Sequence, residues 1–296
     1  MEQLYKNFKS GFVSIVGRPN VGKSTLMNAV MGEKLSIISP KPQTTRQSVK
    51  GIFTDTSKQI VFLDTPGFLQ PRYELQEKMM EYITTSMKDS DVLVFMTDIR
   101  NFPTDYDELV LAMLAKIRKP KIALLNKTDL ATEGMIEEKT EILKNHDFEE
   151  IMAISALEIT DRSFILDSVG KFLPYGPPFY APDEVSDMPM RFFVKEIVRE
   201  QIFLNYKDEI PYSSTVTVEQ YKDYPNKVEI SANIWLERKS QKPILIGKGG
   251  TGIKNIRINS EKEIHKLLDK RVKLELWVKI KDKWRKKKNA IKEFGY

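Results

Sequence analysis

Eight residues near the amino end, Gly17-Arg18-Pro19-Asn20-Val21-Gly22-Lys23-Ser24, fit G-x-x-x-x-G-K-[ST], the pattern of a loop that wraps phosphate. Gly17 and Gly22 let the backbone fold back so that successive N–H groups face phosphate oxygens. Lys23 can reach the β- and γ-phosphates, and the Ser24 hydroxyl suits Mg²⁺. Thr25 opens a helix whose positive dipole end faces the same anion.

Four further segments follow in an order that matches this chemistry. Ser39 to Arg46 holds two prolines and small polar residues, so it is a loop, and a hydroxyl from Thr44 or Thr45 can complete a Mg²⁺ shell when a γ-phosphate is present. Asp64-Thr65-Pro66-Gly67 is D-x-x-G. Asp64 can hold Mg²⁺ through water, and Gly67 can offer its backbone N–H to the γ-phosphate. Phe68 to Tyr73 would then be a second switch. Asn126-Lys127-Thr128-Asp129 is N-K-x-D, whose Asp129 carboxylate matches the paired N–H donors of guanine and not adenine. Lys127 can lie along the base, and Asn126 can tie its loop to the phosphate loop. Ser155-Ala156 can meet the guanine oxygen through a backbone N–H.

The elements that position these residues are short apolar strands. Phe12–Val16, Gln59–Leu63, Val92–Met96, Ile122–Leu125 and Ile151–Ile154 each run into a loop, and Tyr106–Ile117 reads as a helix between two of them. The motifs all fall at strand carboxyl ends, where open α/β sheets bind ligands.

The composition of the 296 residues suits two domains, and 41% hydrophobic content suits packed cores. There is no cysteine, which excludes disulfides and thiolate metal sites and makes the cytoplasm the expected compartment. His146 and His265 read as ordinary surface residues. Met1 to Gly11 lacks the apolar core of a signal peptide, and no window is apolar enough to span a membrane.

Charge is unevenly divided. Residues 181–296 carry 25 Lys and Arg against 17 Asp and Glu, whereas residues 1–180 carry 22 against 24. A basic second half points to a polyanionic partner. Pro174, Pro177, Pro178, Pro182 and Pro189 mark a semi-rigid linker between the halves. After it the pattern reads helix (190–204), strand (213–220), strand (227–237), turn, helix (252–268), strand (272–281) and short helix (283–294). The turn Ile246-Gly247-Lys248-Gly249-Gly250 is a G-x-x-G between helical segments, the clamp by which KH domains hold single-stranded RNA. Ile244, Leu245, Ile246 and Ile253 are placed to line an apolar groove for bases, and Lys248 and Lys254 add charge. Lys283, Arg285 and Lys286 belong to a basic run suited to phosphate contact. Trp277 and Trp284 read as packing residues.

Taken together, these segments resemble the translation-factor-related GTPases and, within them, the Era-like family. The resemblance runs through G-R-P-N-V-G-K-S, P-Q-T-T-R, D-T-P-G, N-K-x-D, Leu173-Pro174-Tyr175-Gly176-Pro177-Pro178, Trp284-Arg285 and Gly295-Tyr296. The related Der family has two phosphate loops, and this chain has one. The resemblance implies a P-loop GTPase domain, a mostly parallel sheet with helices on both faces, over residues 1–173. A linker (174–189) and a smaller α+β type II KH domain (190–296) follow. It further implies GTP hydrolysis with Mg²⁺, a monomer that binds the 3′ end of 16S rRNA and assists assembly of the 30S subunit, and peripheral contact with the inner membrane.

Phe68 stands where many small GTPases have a water-orienting glutamine, as in other Era-like proteins. Asn20 matches the asparagine of relatives that use K⁺ at the phosphates, so slow, K⁺-stimulated hydrolysis is expected. Arg46 and Arg72 are arginine-finger candidates by loop position alone. Asn259-Ser260-Glu261 departs from the Ala-Arg usual in the family, a change expected to touch a helix surface only. Two other readings remain: a signalling GTPase at a membrane surface, and a scaffold that binds GTP and barely turns it over.

Overall fold

The computed structural model describes residues 6–296, so the opening of the amino-terminal stretch read above for a leader lies outside the described residues. Contacts divide the chain into two compact units: residues up to 71 with 78–187, and residues 72–77 with 188–296.

The elements of the first half, in chain order, are β1 (Lys9–Val16), α1 (Lys23–Met31), β2 (Val49–Thr54), β3 (Lys58–Asp64), α2 (Glu74–Asp89), β4 (Val92–Asp98), α3 (Asp105–Leu114), β5 (Lys121–Asn126), α4 (Glu133–Lys144), β6 (Glu150–Ile154) and α5 (Ser163–Lys171). The sheet order is β2-β3-β1-β4-β5-β6. Only β2 runs antiparallel to its neighbour. Continuous apolar runs such as Val92–Met96 are buried on both faces, as parallel strands require. The chain order reverses beside β1, so the loops after β1, β3 and β4 open into one crevice.

The proline-rich stretch lies along the first unit as far as Asp187. The Ile52 N–H donates to the Val185 carbonyl at 2.8 Å, and Gln59 Oε1 accepts from the N–H groups of Phe179 and Tyr180. The Ile52 bond, with that of the Ser186 hydroxyl to the Lys50 carbonyl, covers the otherwise free edge strand β2, and the Gln59 bonds hold the stretch to β3. A linker composition therefore serves here as an edge strap.

The second unit contains α6 (Met190–Asn205), α7 (Glu209–Ser213), β7 (Thr215–Asp223), β8 (Lys227–Leu236), α8 (Gln241–Ile246), α9 (Thr251–Leu268), β9 (Arg271–Ile280) and α10 (Lys288–Glu293). Its sheet order is β7-β8-β9, antiparallel then parallel. Alternate residues of β8, from Val228 through Ile230, Ala232, Ile234 and Leu236, join Val194, Val198, Ile202, Ile256 and Ile264 of the helices in one core. The helical segment expected before the clamp is the short helix α8, and α7 was not expected. Each has too few residues to show a period, and each carries a proline (Pro211, Pro243) within its first three positions, where a missing N–H costs nothing.

Three expectations for this unit need correction. The basic run does not lie on one continuous helix. Lys283 takes a left-handed conformation (φ 47°), a single 3₁₀ turn follows at Trp284–Lys286, and α10 begins only at Lys288. Trp284 explains the break: it is fully buried, its Nε1 donates to the Ser213 carbonyl at 2.8 Å, and its ring packs on Phe294 and Tyr296. Trp277, by contrast, is 60% exposed and packs in no core. The Asn259-Ser260-Glu261 departure is not confined to a surface. Ser260 is buried, and Glu261 accepts from the Leu274 N–H at 2.9 Å, fastening α9 to β9.

Among the described residues, no helix is long and apolar enough to cross a membrane. Trp284→Ala should destabilise the second unit by about 3–5 kcal/mol, because a large cavity and an unpaired Ser213 carbonyl remain. Calorimetry should show one of two transitions moving down while the other stays.

Candidate nucleotide and RNA sites

The loops at the carboxyl ends of the strands surround a cleft of about 520 Å³. Arg18, Pro19, Asn20, Gly22, Lys23, Ser24 and Thr25 form one wall, and Gly67, Asn126, Lys127, Asp129, Ser155 and Ala156 complete it. Gly17 lies directly behind, and Val21 is buried beneath the loop. The residues expected to touch the nucleotide thus line one cavity, apart from Gly17, Val21 and the buried Asp64, which do not line it.

At the phosphate end, Ser24 Oγ donates to Asp64 Oδ2 at 2.7 Å. The Thr45 hydroxyl lies 2.9 Å from Ser24 Oγ and 3.4 Å from the same carboxylate oxygen. Thr44 lines the same cleft. Asp64 is fully buried and its Oδ1 has no hydrogen-bond partner. Burial pushes its carboxyl up from the ordinary range, against the Ser24 hydrogen bond and the Lys23 charge. Two hydroxyls and a buried carboxylate with an unused oxygen suit a hard cation such as Mg²⁺. Among the described residues no His, Cys, Asp and Glu cluster could hold a metal by itself.

Lys23 Nζ donates to the carbonyls of Gly17 and Arg18, at 3.1 and 3.0 Å. Burial pulls its amine down to about 8, partly offset by Asp64 and reinforced by Arg18. Gly67 meets the phosphate loop so closely that a Cβ there would fall 2.6 Å from Pro19 backbone atoms. The next N–H, of Phe68, donates to the Gly17 carbonyl at 3.0 Å. The Phe68 ring is buried in the core with Val16, Ile83 and Phe95. It does not line the cleft. Of the two arginines offered as fingers, Arg46 is buried and Arg72 is exposed.

At the base end, Asn126 bridges two loops. Its Nδ2 donates to the Val21 carbonyl at 2.6 Å, and its Oδ1 accepts from the Ala156 N–H at 2.8 Å. Lys127 Nζ donates to the Asn20 carbonyl at 2.8 Å. Asp129 accepts from the Ser155 hydroxyl at 2.7 Å, which fixes the carboxylate that would face guanine.

Sequence reasoning missed the carboxylates behind these groups. Asp98, at the end of β4, is buried and pairs with Lys127 Nζ at 2.7 Å and Arg100 Nη2 at 2.7 Å. Burial opposes its ionisation, but hydrogen bonds from Arg100 and Lys127 outweigh that and hold the carboxyl well below the usual range. Asp107, fully buried, accepts from Thr97 Oγ1, from the Thr104 N–H and hydroxyl, and from Arg18 Nε at 3.3 Å. Arg18 thus anchors the phosphate loop to α3. The only available signal was the T-x-x-D capping box at Thr104 to Asp107, which announces a helix start and not a site.

In the second unit, α8 and α9 meet at Gly247–Gly250. Gly247, Gly249 and Gly250 all have positive φ (75°, 61° and 79°), so this tight turn depends on residues without a Cβ. Lys248 and Lys254 are exposed beside it, and Ile246 and Ile253 are half-buried. Leu245 does not line a groove; it is a fully buried core residue, and its carbonyl accepts from Tyr206 Oη. Lys283 and Lys286 are exposed. Arg285 is not free for phosphate: its Nη2 pairs with Glu237 at 2.6 Å.

The comparisons with known proteins agree with this geometry. Residues 12–127 match the family model described as a 50S ribosome-binding GTPase, and residues 209–285 match the KH domain. The GTPase Era of Caldicellulosiruptor saccharolyticus is 42% identical over 98% of both chains. That of Geotalea daltonii is also 42% identical, over 98% of this chain and 99% of its own. Two solved structures have TM-scores of 0.94 at 37% identity, each covering 98% of this chain and 99% of its own: a variant of Aquifex aeolicus Era bound to GDP·AlF4⁻, and Era in complex with MgGDPNP and nucleotides 1506–1542 of 16S ribosomal RNA.

Two outcomes are expected here. Asp129→Asn should shift nucleotide preference from guanine toward xanthine, measured by competitive binding of GDP and XDP. Asp98→Asn should cost about 1–3 kcal/mol at neutral pH, because the charges of Lys127 and Arg100 lose their partner. A depressed carboxyl stabilises the fold above its unfolded pKa, about 4, and that contribution is lost as pH falls through the folded value. The stability difference between wild type and variant should therefore hold above about pH 4, shrink steadily as pH falls below it, and vanish only at the depressed folded value.

Proposed function

The chain belongs to the Era family of GTPases, and from that premise we propose that it is a GTP-driven switch that binds the 3′ region of 16S rRNA and assists 30S subunit assembly. The observation that carries this reading is the pairing of one complete guanine-nucleotide cleft with one G-x-x-G clamp in a chain that matches Era proteins end to end. The chain's own groups divide the work. The amides from Gly17 to Ser24 and the Lys23 ammonium hold the phosphates. Ser24, Thr45 and Asp64 are the set for Mg²⁺, which would neutralise charge between the β- and γ-phosphates. Gly67 N–H faces the γ-phosphate, and loss of that group frees the Thr45 loop. Asn126, Lys127, Asp129, Ser155 and Ala156 select and seat the base. Catalysis is then positioning and charge stabilisation.

No glutamine stands after Gly67, so the missing stabilisation must come from another fixed charge. Asn20 supports K⁺ in that role: it lies in the phosphate loop, and its Nδ2 donates to the Pro40 carbonyl of the first switch at 2.8 Å. For RNA, the clamp Gly247–Gly250 with Lys248, Lys254, Lys283 and Lys286 supplies backbone donors and charge. The exposed Lys283, Lys286, Lys287 and Lys288 also suit anionic lipid headgroups, which supports peripheral membrane contact as a second reading.

GTP turnover should be faster in KCl than in NaCl at equal ionic strength, and Asn20→Ala should remove the difference; equal wild-type rates would sink the K⁺ assignment. Crosslinking of bound cellular RNA should enrich the 16S 3′ end with a non-hydrolysable GTP analogue. Gly249→Asp is the control. Nothing crowds its Cβ position, and Asp is among the side chains that visit the left-handed conformation at a cost in strain, so an unchanged melting transition must accompany the variant; the new carboxylate then repels phosphate. Enrichment that survives this control, or binding to anionic liposomes without RNA enrichment, would turn the reading toward the membrane.

A further inference from the structure

The sheet of the second unit has two faces, and the clamp lies on only one side. Its other face carries Thr217, Asn233 and Trp277 in one register row, and Thr215, Trp235 and Lys279 in the next. The carboxyl-terminal segment covers the second row: Phe294 packs on Trp235 at 5.3–5.4 Å ring separation from its two tryptophan neighbours, and the Thr215 hydroxyl meets Tyr296 Oη at 2.9 Å. Trp277, one row further, is left 60% exposed. In the same row, between Thr217 and Trp277, Asn233 is 2% exposed, and its Nδ2 donates to nothing.

An exposed indole beside a buried, unused amide donor is costly for a strand whose only task is packing. The same pair is what a nucleobase requires: a flat ring to stack on and an amide to meet its edge. Charge favours the same ligand. On this face the strands place Lys222, Lys227, Arg271, Lys273 and Lys279 against Glu229 and Glu275, with Lys227 paired to Glu229 and Lys273 to Glu275, and Glu219 accepts from the Thr217 hydroxyl, so five cations stand against three carboxylates. One strand edge separates this position from the helices that carry the clamp. β9 is the free edge of the sheet, with α8 and α9 packed against it and Trp277 turned to the other side.

We propose that Trp277 and Asn233 form a second RNA subsite, which stacks one unpaired base of a strand that has rounded the edge of β9 from the clamp. The inference rests on the reading of this unit as RNA-binding. Lys279 lies over the Trp235 ring, with Nζ 5.3 Å from its centroid, and holds positive charge beside the stacked base.

The test uses the full chain with 16S rRNA nucleotides 1506–1542 and with single-stranded fragments of it lengthened one nucleotide at a time. Anisotropy gives affinity at fixed salt, and intrinsic tryptophan fluorescence reports stacking. Trp277→Ala should weaken binding roughly 5- to 150-fold, the range found for loss of one base-stacking aromatic. Trp277→Phe should recover most of the affinity while losing the RNA-induced quenching. The step in affinity on lengthening the fragment should vanish in Trp277→Ala. Asn233→Val should leave thermal stability unchanged or raised while weakening RNA several-fold, a split that a structural role would not give. Should Trp277→Ala fail to fold, the quenching comparison between wild type and Trp277→Phe decides alone. Wild-type affinity in Trp277→Ala, or equal quenching in Trp277→Phe, overturns the subsite; a protein or lipid ligand for this face would give that result. If Gly249→Asp abolishes binding in that case, the clamp reading stands without it. A wild-type chain that binds none of these RNAs overturns both.

Discussion

A single buried amide governs the nucleotide cleft. Asn126 gives its Nδ2 hydrogen to the Val21 carbonyl and takes the Ala156 N–H on its Oδ1. The phosphate loop, the end of β5 and the loop after β6 come from three distant parts of the sequence, and this side chain holds all three in register. An aspartate has no hydrogen to donate to Val21, and a leucine would leave both backbone groups buried and unpaired. The base site and the phosphate site are therefore not independent. A shift at either end must pass through one side chain that is 2% exposed and has no slack.

Around that amide, charge is arranged so that each cation has a buried anion behind it. Asp98 holds Lys127 and Arg100, Asp107 holds Arg18, and Asp64 lies near Lys23. The pairs lie at the ends of β3 and β4 and at the start of α3, which flank the crevice where the chain order reverses. Buried pairs of this kind stabilise little when compared with apolar packing. Their effect is to fix the direction of the cations before a polyanion arrives, so that little ordering cost remains at binding.

Much of this was legible in the sequence because it is local. A strand, a glycine loop and a helix in sequence specify a phosphate loop, and N-K-x-D after an apolar strand specifies a base loop. The structure gathers those residues around one cleft. What was not legible is what depends on distant pairing. Asp107 is read from sequence as a helix cap, and nothing in its neighbours announces Arg18, 89 positions away. The proline-rich stretch has the composition of a linker, and only the edge of β2 gives it a second use. Trp284 and Trp277 stand seven residues apart, yet the one set in a basic run is the core residue and the one set in an apolar strand is exposed, because strand alternation turns Trp277 outward and a left-handed Lys283 turns the chain before Trp284 inward. Arg285 belongs to a basic run by sequence and to Glu237 by structure.

Phe68 joins the fold to the chemistry. Its N–H is tied to the Gly17 carbonyl and its ring is locked between Val16 and Phe95, so the residue after D-x-x-G is part of the core. A glutamine there would have to leave that core to reach a water, and would expose apolar surface as it left. The close passage of Gly67 over Pro19 allows no compensating bulge. The local packing that makes the second switch well defined thus removes the usual means of orienting water. On the reading proposed above, hydrolysis draws on a charge from outside the switch, and a mobile monovalent cation supplies one without disturbing the packing.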